Sequence, residues 1–310
     1  MITRSTFNKE YLPGYFALAV DTYVAHPSMW DKICEVRTST KQKEEKIYRS
    51  SLGNLADKAE GEPITYDTPM GNLSKSWVHT TKALGIRITE EAIDDNLYEF
   101  GNGGNAGGDI KDLFTDLGRS AAETPELEVA KLFNYATATT YHTTNAASAT
   151  ALASTSHARL DGSTYSNKGT SSDLTYTSFW SAVIAAENQY DHRQKRIRCK
   201  VRALLVPPQL EKQAREILFS SDRPDTANRA INAMVQSGRR FELYVWSYLT
   251  DTDAWCLLLD APFRDVIFFW RRKTRFAKEA DFETGDVKAK VDMRFSVECG
   301  DPRSFYFNIP

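Results

Sequence analysis

Apolar positions follow two main rhythms along the chain, and they alternate in blocks. Between Asp109 and Tyr135, Ile110, Leu113, Phe114, Leu117, Ala121, Leu127, Ala130 and Phe133 recur at helical spacing, which predicts one long helix with Leu113, Phe114 and Leu117 in the core. Pro125 lies inside it and is expected to kink or restart it, because proline lacks the backbone donor. A second helix is predicted over 177–190, with Phe179, Ala182, Val183, Ala186 and Tyr190 on one face. Pro207-Pro208 opens a third, carrying Leu210, Ala214, Ile217 and Leu218. A fourth spans 227–235 and stops before Gly238. A short one starts at Thr89, a good N-cap with Glu90 and Glu91 behind it. Strand rhythm holds elsewhere. Val201–Val206 is a continuous apolar run, residues 241–247 alternate, and Trp255–Leu259 is again apolar. From Val266 onward the chain is strongly β-like: Phe268-Phe269-Trp270, then 275–281, a turn at Glu283-Thr284-Gly285-Asp286, then 287–297. The class is α+β.

Two stretches lack a private core. Residues 35–82 are polar, broken by turn signals at Leu52-Gly53-Asn54, Glu60-Gly61-Glu62-Pro63 and Pro69-Met70-Gly71-Asn72, with sparse apolar residues such as Ile64, Tyr66 and Trp77. Alternation near 46–49 and 64–67 suggests the strands of a long hairpin. An isolated two-stranded hairpin is marginal in water, so support must come from the parent domain or from another subunit. The N-terminal stretch, with Tyr11, Tyr15, Phe16, Leu18, Val20 and Tyr23, reads as a short helix after Gly14 or as an arm seeking a partner surface. Residues 137–172, rich in Ala, Thr, Ser and Gly, read as an extended loop.

Charge and chemistry narrow the function by exclusion. Thirty-nine basic and 41 acidic residues give a net charge of −2, which does not support binding of nucleic acid through bulk positive charge. No apolar run nears the ~20 residues of a membrane span, and the first residues hold no apolar signal core. The four cysteines are scattered, which fits reduced thiols. His-Glu-x-x-His, Gly-x-Ser-x-Gly and the phosphate-loop pattern are missing, and the five histidines share no metal-ligand spacing. Gly101-x-Gly103-x-x-Ala106 follows a predicted helix, where a dinucleotide loop follows a strand. No catalytic, metal or cofactor residues are assigned. The run Arg271-Arg272-Lys273-Thr274-Arg275 could grip phosphate, but the acids that follow it favour charge pairs within or between subunits, and Arg271, Arg272, Lys273 and Arg275 are assigned to inter-subunit pairs.

Three stretches together resemble the major capsid proteins of tailed bacteriophages, the family with the Hong Kong 97-type fold. The first runs from Leu52-Gly53-Asn54-Leu55 through 60–67 to Leu84-Gly85-Ile86-Arg87-Ile88-Thr89-Glu90-Glu91-Ala92-Ile93. The second is Leu152-Ala153-Ser154-Thr155-Ser156-His157, leading through Gly162 and Asn167. The third is Trp270-Arg271-Arg272-Lys273-Thr274-Arg275-Phe276, with Thr284-Gly285-Asp286, Met293-Arg294-Phe295-Ser296 and Asp301-Pro302-Arg303. Their order over nearly the whole chain carries the resemblance.

The resemblance implies an N-terminal arm (1–30), an extended hairpin loop (36–83), a peripheral domain with a spine helix and long sheet (84–136 and 265–310), and an axial domain (137–264). It implies a shell protein, not an enzyme, that forms pentamers and hexamers of an icosahedral head around double-stranded DNA held by non-specific contact. The hairpin would lie over a neighbour through Ile64, Tyr66 and Trp77, and the arm would make contacts through Tyr11, Tyr15 and Phe16. Because the sequence starts almost at the arm, a separate scaffolding protein is expected. A portal protein is a further partner, and a decoration protein has room. The place of action is the virion, after assembly in the host cytoplasm. Competing readings are a decoration or tail protein, and a hydrolase assembled from distant residues such as His157 and Asp161.

Overall fold

The computed structural model describes residues 12–93, 108–139, 150–222, 231–236, 238–281 and 283–310. In chain order it opens with helices α1 (Leu12–Ala25) and α2 (Trp30–Ile33) and strands β1 (Glu35–Thr38), β2 (Lys43–Arg49), β3 (Gly71–Val78) and β4 (Thr80–Ile88). The long helix α3 (Gly108–Asn134) follows, then β5 (His157–Ala158), β6 (Thr164–Tyr165), α4 (Tyr176–Glu187), β7 (Val201–Val206), α5 (Glu211–Phe219) and α6 (Ala233–Gln236). The chain closes with β8 (Glu242–Val245), β9 (Trp255–Leu259), β10 (Val266–Ala280), β11 (Val287–Cys299) and β12 (Phe305–Asn308).

Two four-stranded sheets organise these elements, in the orders β1-β10-β11-β4 and β12-β9-β7-β8. β10 and β11 form the long antiparallel hairpin that the apolar runs and the Thr284-Gly285-Asp286 turn predict, and Gly285 takes φ +72°, a conformation open to glycine. Alternation along β11 sends Val287, Ala289, Val291, Met293 and Phe295 to the inner face, where α3 covers them with Ile110, Phe114, Leu117 and Ala121. The second sheet is buried on both faces. Ala203, Leu205, Cys256 and Leu258 join the α3 core, whereas Leu204, Val206, Leu257 and Leu259 pack on α4 and α5. That double burial is why β7 and β9 read as continuous apolar runs.

α3 runs unbroken through Pro125, contrary to the expected kink or restart. Val129 and Ala130 beyond the proline and Ala121 before it are all buried, so packing along its length outweighs the missing hydrogen bond. Glu126 in the next position is 1% exposed, and its carboxylate is fully used. Oε1 accepts from the backbone of Met29 and Trp30, at 2.6 and 3.4 Å, and Oε2 accepts from Trp246 Nε1 at 2.7 Å. This ties the start of α2, α3 and the second sheet at one point. α1 crosses α3 at Gly118, where an added Cβ would lie 2.3 Å from the carbonyl oxygen of Ala19.

Several boundaries differ from the sequence reading. The hairpin strands are β2, which contains the predicted 46–49, and β3; the second predicted strand, 64–67, is not one, since Ile64 to Asp67 lie in an irregular excursion. Residues 80–83 belong to β4 of the first sheet, and β1 runs parallel to β10 in that sheet, so 36–83 is not all hairpin. Strand β12, within the 265–310 stretch expected in the peripheral domain, pairs with β9 in the second sheet: its alternate aromatics Phe305 and Phe307 fill the core between the sheets. The loop over 137–172 contains the short β5–β6 ladder. Of the predicted helix over 227–235, only 233–236 is helical among the described residues. The glycine run at 101–107 and His142 lie outside the described residues. No helix among those described is long and apolar enough to cross a membrane.

Candidate assembly surfaces

The outer face of the first sheet is half covered by the chain's own hairpin. Ile267 and Phe269 alternate onto that face, and Trp77 of β3 packs there with its ring 5.7 Å from Phe269, edge to face. Trp77 Nε1 also donates to the carbonyl of Glu298, at 3.3 Å. The Glu298 carboxylate takes the ammonium of Lys75, at 3.0 Å. Asp265, itself buried, accepts from Lys46 at 2.7 Å and from the Tyr48 hydroxyl. Gly300 stands where any side chain would collide with Tyr48 and Asp265. The root of the hairpin is therefore part of the subunit. Trp77, expected to be exposed for a neighbour, is 1% exposed, which is a correction. Its indole finds an apolar site on its own sheet, whose outer face cannot be seen from a hairpin sequence with few apolar residues.

Beyond the root the hairpin changes character. Residues 50–70 form an excursion in which Leu52, Leu55, Ile64, Tyr66 and Met70 all stand in solvent, Tyr66 at 86% and Leu55 at 101%. The same excursion carries Asp57, Glu60, Glu62 and Asp67 against Lys58. Exposed apolar side chains grouped on a protruding segment mark an interaction surface.

The N-terminal aromatics are placed otherwise than expected. Tyr15 stacks on Phe114 at 6.0 Å between centroids, and Phe16 meets Phe276 edge-on at 6.2 Å. Tyr23 also meets Phe276, and its hydroxyl accepts from Thr274 at 2.9 Å. Both predicted arm contacts are thus intramolecular, because α3 and β10 supply the partner that the stripe required. Tyr11 lies outside the described residues.

The basic run falls on two irregularities of β10. The register with β11 shifts between Trp270 and Arg272, and again between Arg272 and Arg275. Plain alternation would put Arg272 and Arg275 on opposite faces. The bulge between them brings both to Asp292, at 2.6 and 3.1 Å, so these two predicted inter-subunit charges are paired within the chain. Arg271 and Lys273 are exposed and have no ion pair among the described residues. On α3, Phe114 and Leu117 are buried as expected, but Leu113 is 43% exposed. The buried stripe is centred on Ile110, Phe114, Leu117 and Ala121, and Leu113 stands at its edge.

A polar hub, unmarked in the sequence except by Asp301-Pro302-Arg303, lies where the two sheets meet. Arg303 is 4% exposed and pairs with Asp301 at 2.6 Å. Burial pushes the Asp301 carboxyl up, but the adjacent guanidinium more than offsets this and holds it below the ordinary value. Arg303 also donates to the carbonyl of Tyr190 at 2.9 Å and to His192 Nε2 at 3.1 Å. Asn167, wholly buried, donates to Leu152 O and Pro302 O, each at 2.8 Å, and accepts from Ser154 N at 2.9 Å. His157 turns its Nε2 to the same Asn167 and stacks on Tyr165. Asp161, by contrast, accepts from Ser163 and Gln194, whose hydrogen bonds lower its carboxyl to about 2. The pair considered for a hydrolase is thus divided between two separate tasks. No group of three or more metal-ligating side chains exists among the described residues, and all four cysteines are buried and unpaired.

Comparison with known proteins places this architecture. Residues 74–308 match the family model of the phage capsid protein. No curated protein matches the sequence. Among solved structures, the chain resembles the capsid of an empty GTA particle (TM-score 0.57, 12% identity, covering 94% of this chain and 98% of that one). It also resembles the capsid of cyanophage P-SCSP1u (0.57, 8%, 91% and 88%) and a virus-like particle from Pyrococcus furiosus (0.53, 10%, 96% and 99%). At such identities the structures establish a common fold, and the family model covers well over half of the sequence: the chain belongs to the phage capsid protein family and is a structural protein of the Hong Kong 97-like capsid fold.

Proposed function

We propose that this chain builds the head shell of a tailed phage as pentamers and hexamers, enclosing double-stranded DNA that it touches without sequence preference. The observation that carries the proposal is the excursion over 50–70, where five large apolar side chains stand in solvent on one protruding segment. In the shell, Ile64 and Tyr66 lose their exposure against a neighbouring subunit. Arg271 and Lys273, unpaired within the described chain, meet acidic groups across a subunit boundary. Arg272 and Arg275 complete such a contact only as a unit with Asp292. The division into an arm, a hairpin loop, a peripheral domain and an axial domain follows the two sheets, with β12 assigned to the axial one. The role is structural and not enzymatic. Assembly takes place in the host cytoplasm with a scaffolding protein and a portal protein, and the product is the virion, with decoration protein as an optional addition. Electron microscopy of the purified protein, with and without a co-expressed scaffolding protein, tests the reading. Rings, tubes or closed shells are expected above a threshold concentration. A protein that stays monomeric across concentration, salt and scaffold conditions overturns it.

A further inference from the structure

The neck of the excursion is gripped by its own subunit at a second place, through residues remote in sequence from those that hold the root. The loop between α4 and β7, residues 189–196, reaches it with three side chains, Asp191, Arg193 and Lys195. Arg193 makes a bidentate pair with Asp67, at 2.5 and 3.1 Å, and donates to Thr68 O at 2.5 Å. Lys195 donates to Leu52 O, and Ser51 donates to the Asp191 carboxylate. Asp67 in turn accepts from Gly53 N at 2.6 Å, closing the excursion across its own neck.

The gripping loop is itself rigidly built. Asp191 is buried, and one of its oxygens accepts from Arg193 N at 2.7 Å and Lys195 N at 3.0 Å. Gln194 at the turn has φ +57° and donates to Asp161 at 3.1 Å. Behind the loop, Arg303 holds Tyr190 O and His192 from the hub between the sheets. A continuous chain of polar contacts therefore leads from the junction of the two sheets to the neck of the excursion.

The two grips differ in kind. The root rests on buried apolar contact and half-buried ion pairs. The distal grip is made of hydrogen bonds and one carboxylate–guanidinium pair, exposed on the Asp67 side, and it leaves Leu55, Ile64 and Tyr66 uncovered. It does not hide the assembly surface. It fixes the direction in which that surface points. We propose that residues 189–196 form an ionic clasp on the neck of the excursion that preorients the extended hairpin in the free subunit, so that its direction is fixed before a neighbour arrives. Bound segments that are ordered beforehand lose less entropy on association. This rests on the shell reading for its consequence, but the clasp exists in the lone chain and is measured there.

The test uses the full chain with Asp67→Arg, Arg193→Asp and the double exchange. Hydrogen exchange on dilute, unassembled protein reads the clasp. Light scattering against concentration reads assembly, and thermal unfolding checks the fold. Each single reversal should speed exchange within 50–70 while β2 and β3 keep their protection. Each should also raise the assembly threshold about 3–10-fold, the range expected for an exposed bidentate pair with its dependent hydrogen bonds. The double exchange should restore both, and high salt should loosen the wild-type excursion as the singles do. Unchanged exchange in the single variants overturns the clasp. A threshold that stays the same or falls overturns its preorienting role, since the loop would then be indifferent or a restraint. If the wild type never assembles, the shell reading fails, and exchange alone decides whether the clasp exists.

Discussion

Trp77→Ala tests whether the hairpin root is held by burial on the sheet. A tryptophan side chain buries about 150–250 Å² when fully enclosed, which at ~25 cal/mol/Å² is about 4–6 kcal/mol. That is an upper figure, because the unfolded chain already hides part of this area. The edge-to-face contact with Phe269 adds about 0.5–1.5 kcal/mol, and the hydrogen bond to Glu298 O about 1 kcal/mol. Against these, the buried apolar partner set among the described residues is small, Ile267 and Phe269, and after truncation water can enter from the hairpin side. About 3 kcal/mol is the expected loss, at the low end of tryptophan deletions in full cores.

The loss should be local. Lys46, Tyr48 and Lys75 still reach Asp265 and Glu298, but these are polar contacts that water can replace. Exchange of β2 and β3 amides should therefore rise by roughly 100-fold, the factor for about 3 kcal/mol, while amides in the middle of β10 and β11 hold. Trp77→Phe should recover much of the protection. Two results refute the reasoning. A uniform loss through both sheets would mean that hairpin and sheet open as one unit. No change in either would mean that the indole contributes nothing by being buried.

Other predictions follow from the same contacts. Phe114→Ala should cost about 3–5 kcal/mol in chemical denaturation, because the site is wholly buried, whereas Leu113→Ala at the exposed edge should cost under about 1 kcal/mol. Gly118→Ala should lift α1 from α3, with a loss of about 1–3 kcal/mol and faster proteolysis within 12–25, since the new methyl meets the backbone of Ala19. Arg272→Glu should destabilise the subunit itself by facing Asp292, while Lys273→Glu should leave unfolding unchanged within about 0.5 kcal/mol and alter assembly alone. Burial and Arg303 hold His192 below the ordinary imidazole value of 6.5, as burial and Arg294 do for His79. The unfolded chain thus binds protons that the folded chain refuses, so stability is full above that value and declines as pH falls through it. Thermal unfolding should show a lower Tm at pH 5.5 than at 7.5, and His192→Gln, which can still accept from Arg303, should flatten the difference.

The fold was legible where one rhythm ran without interruption. α3, β7, β9 and the β10–β11 hairpin stand where periodicity puts them, because each buries a face whose spacing the sequence displays. What was hidden depends on contacts between distant segments. Nothing near Trp77 in sequence announces Ile267 and Phe269, and a lone aromatic in a polar stretch reads the same whether its site lies on its own chain or on another. The bulges in β10 were equally hidden, since a bulge changes which face a residue occupies without changing composition. Glu126 and Arg303 illustrate a third case. Isolated charges read as solvated, and only the folded chain reveals that each is buried among partners that use all its valence.

Tyr15, Phe16 and Trp77 on one side, and Leu55, Ile64 and Tyr66 on the other, bear on what a shell subunit must reconcile. All six looked alike in sequence, as apolar residues without a local core. The structure divides them: the first three are spent on fixing the arm helix and the hairpin root to the subunit, and the last three remain in solvent. Such a division suits assembly from many copies. If the root were as loose as the tip, each association would have to order the whole hairpin, at ~1–2 kcal/mol per backbone residue. If the tip were as buried as the root, nothing would remain to be covered by a neighbour. Holding the root through apolar burial and the neck of the excursion through polar and ionic contacts gives a segment that is already directed yet still adhesive. Salt should then separate the two functions: raising ionic strength should loosen residues 50–70 in the free subunit and leave Trp77 protected, because screening acts on exposed charges and not on buried apolar area.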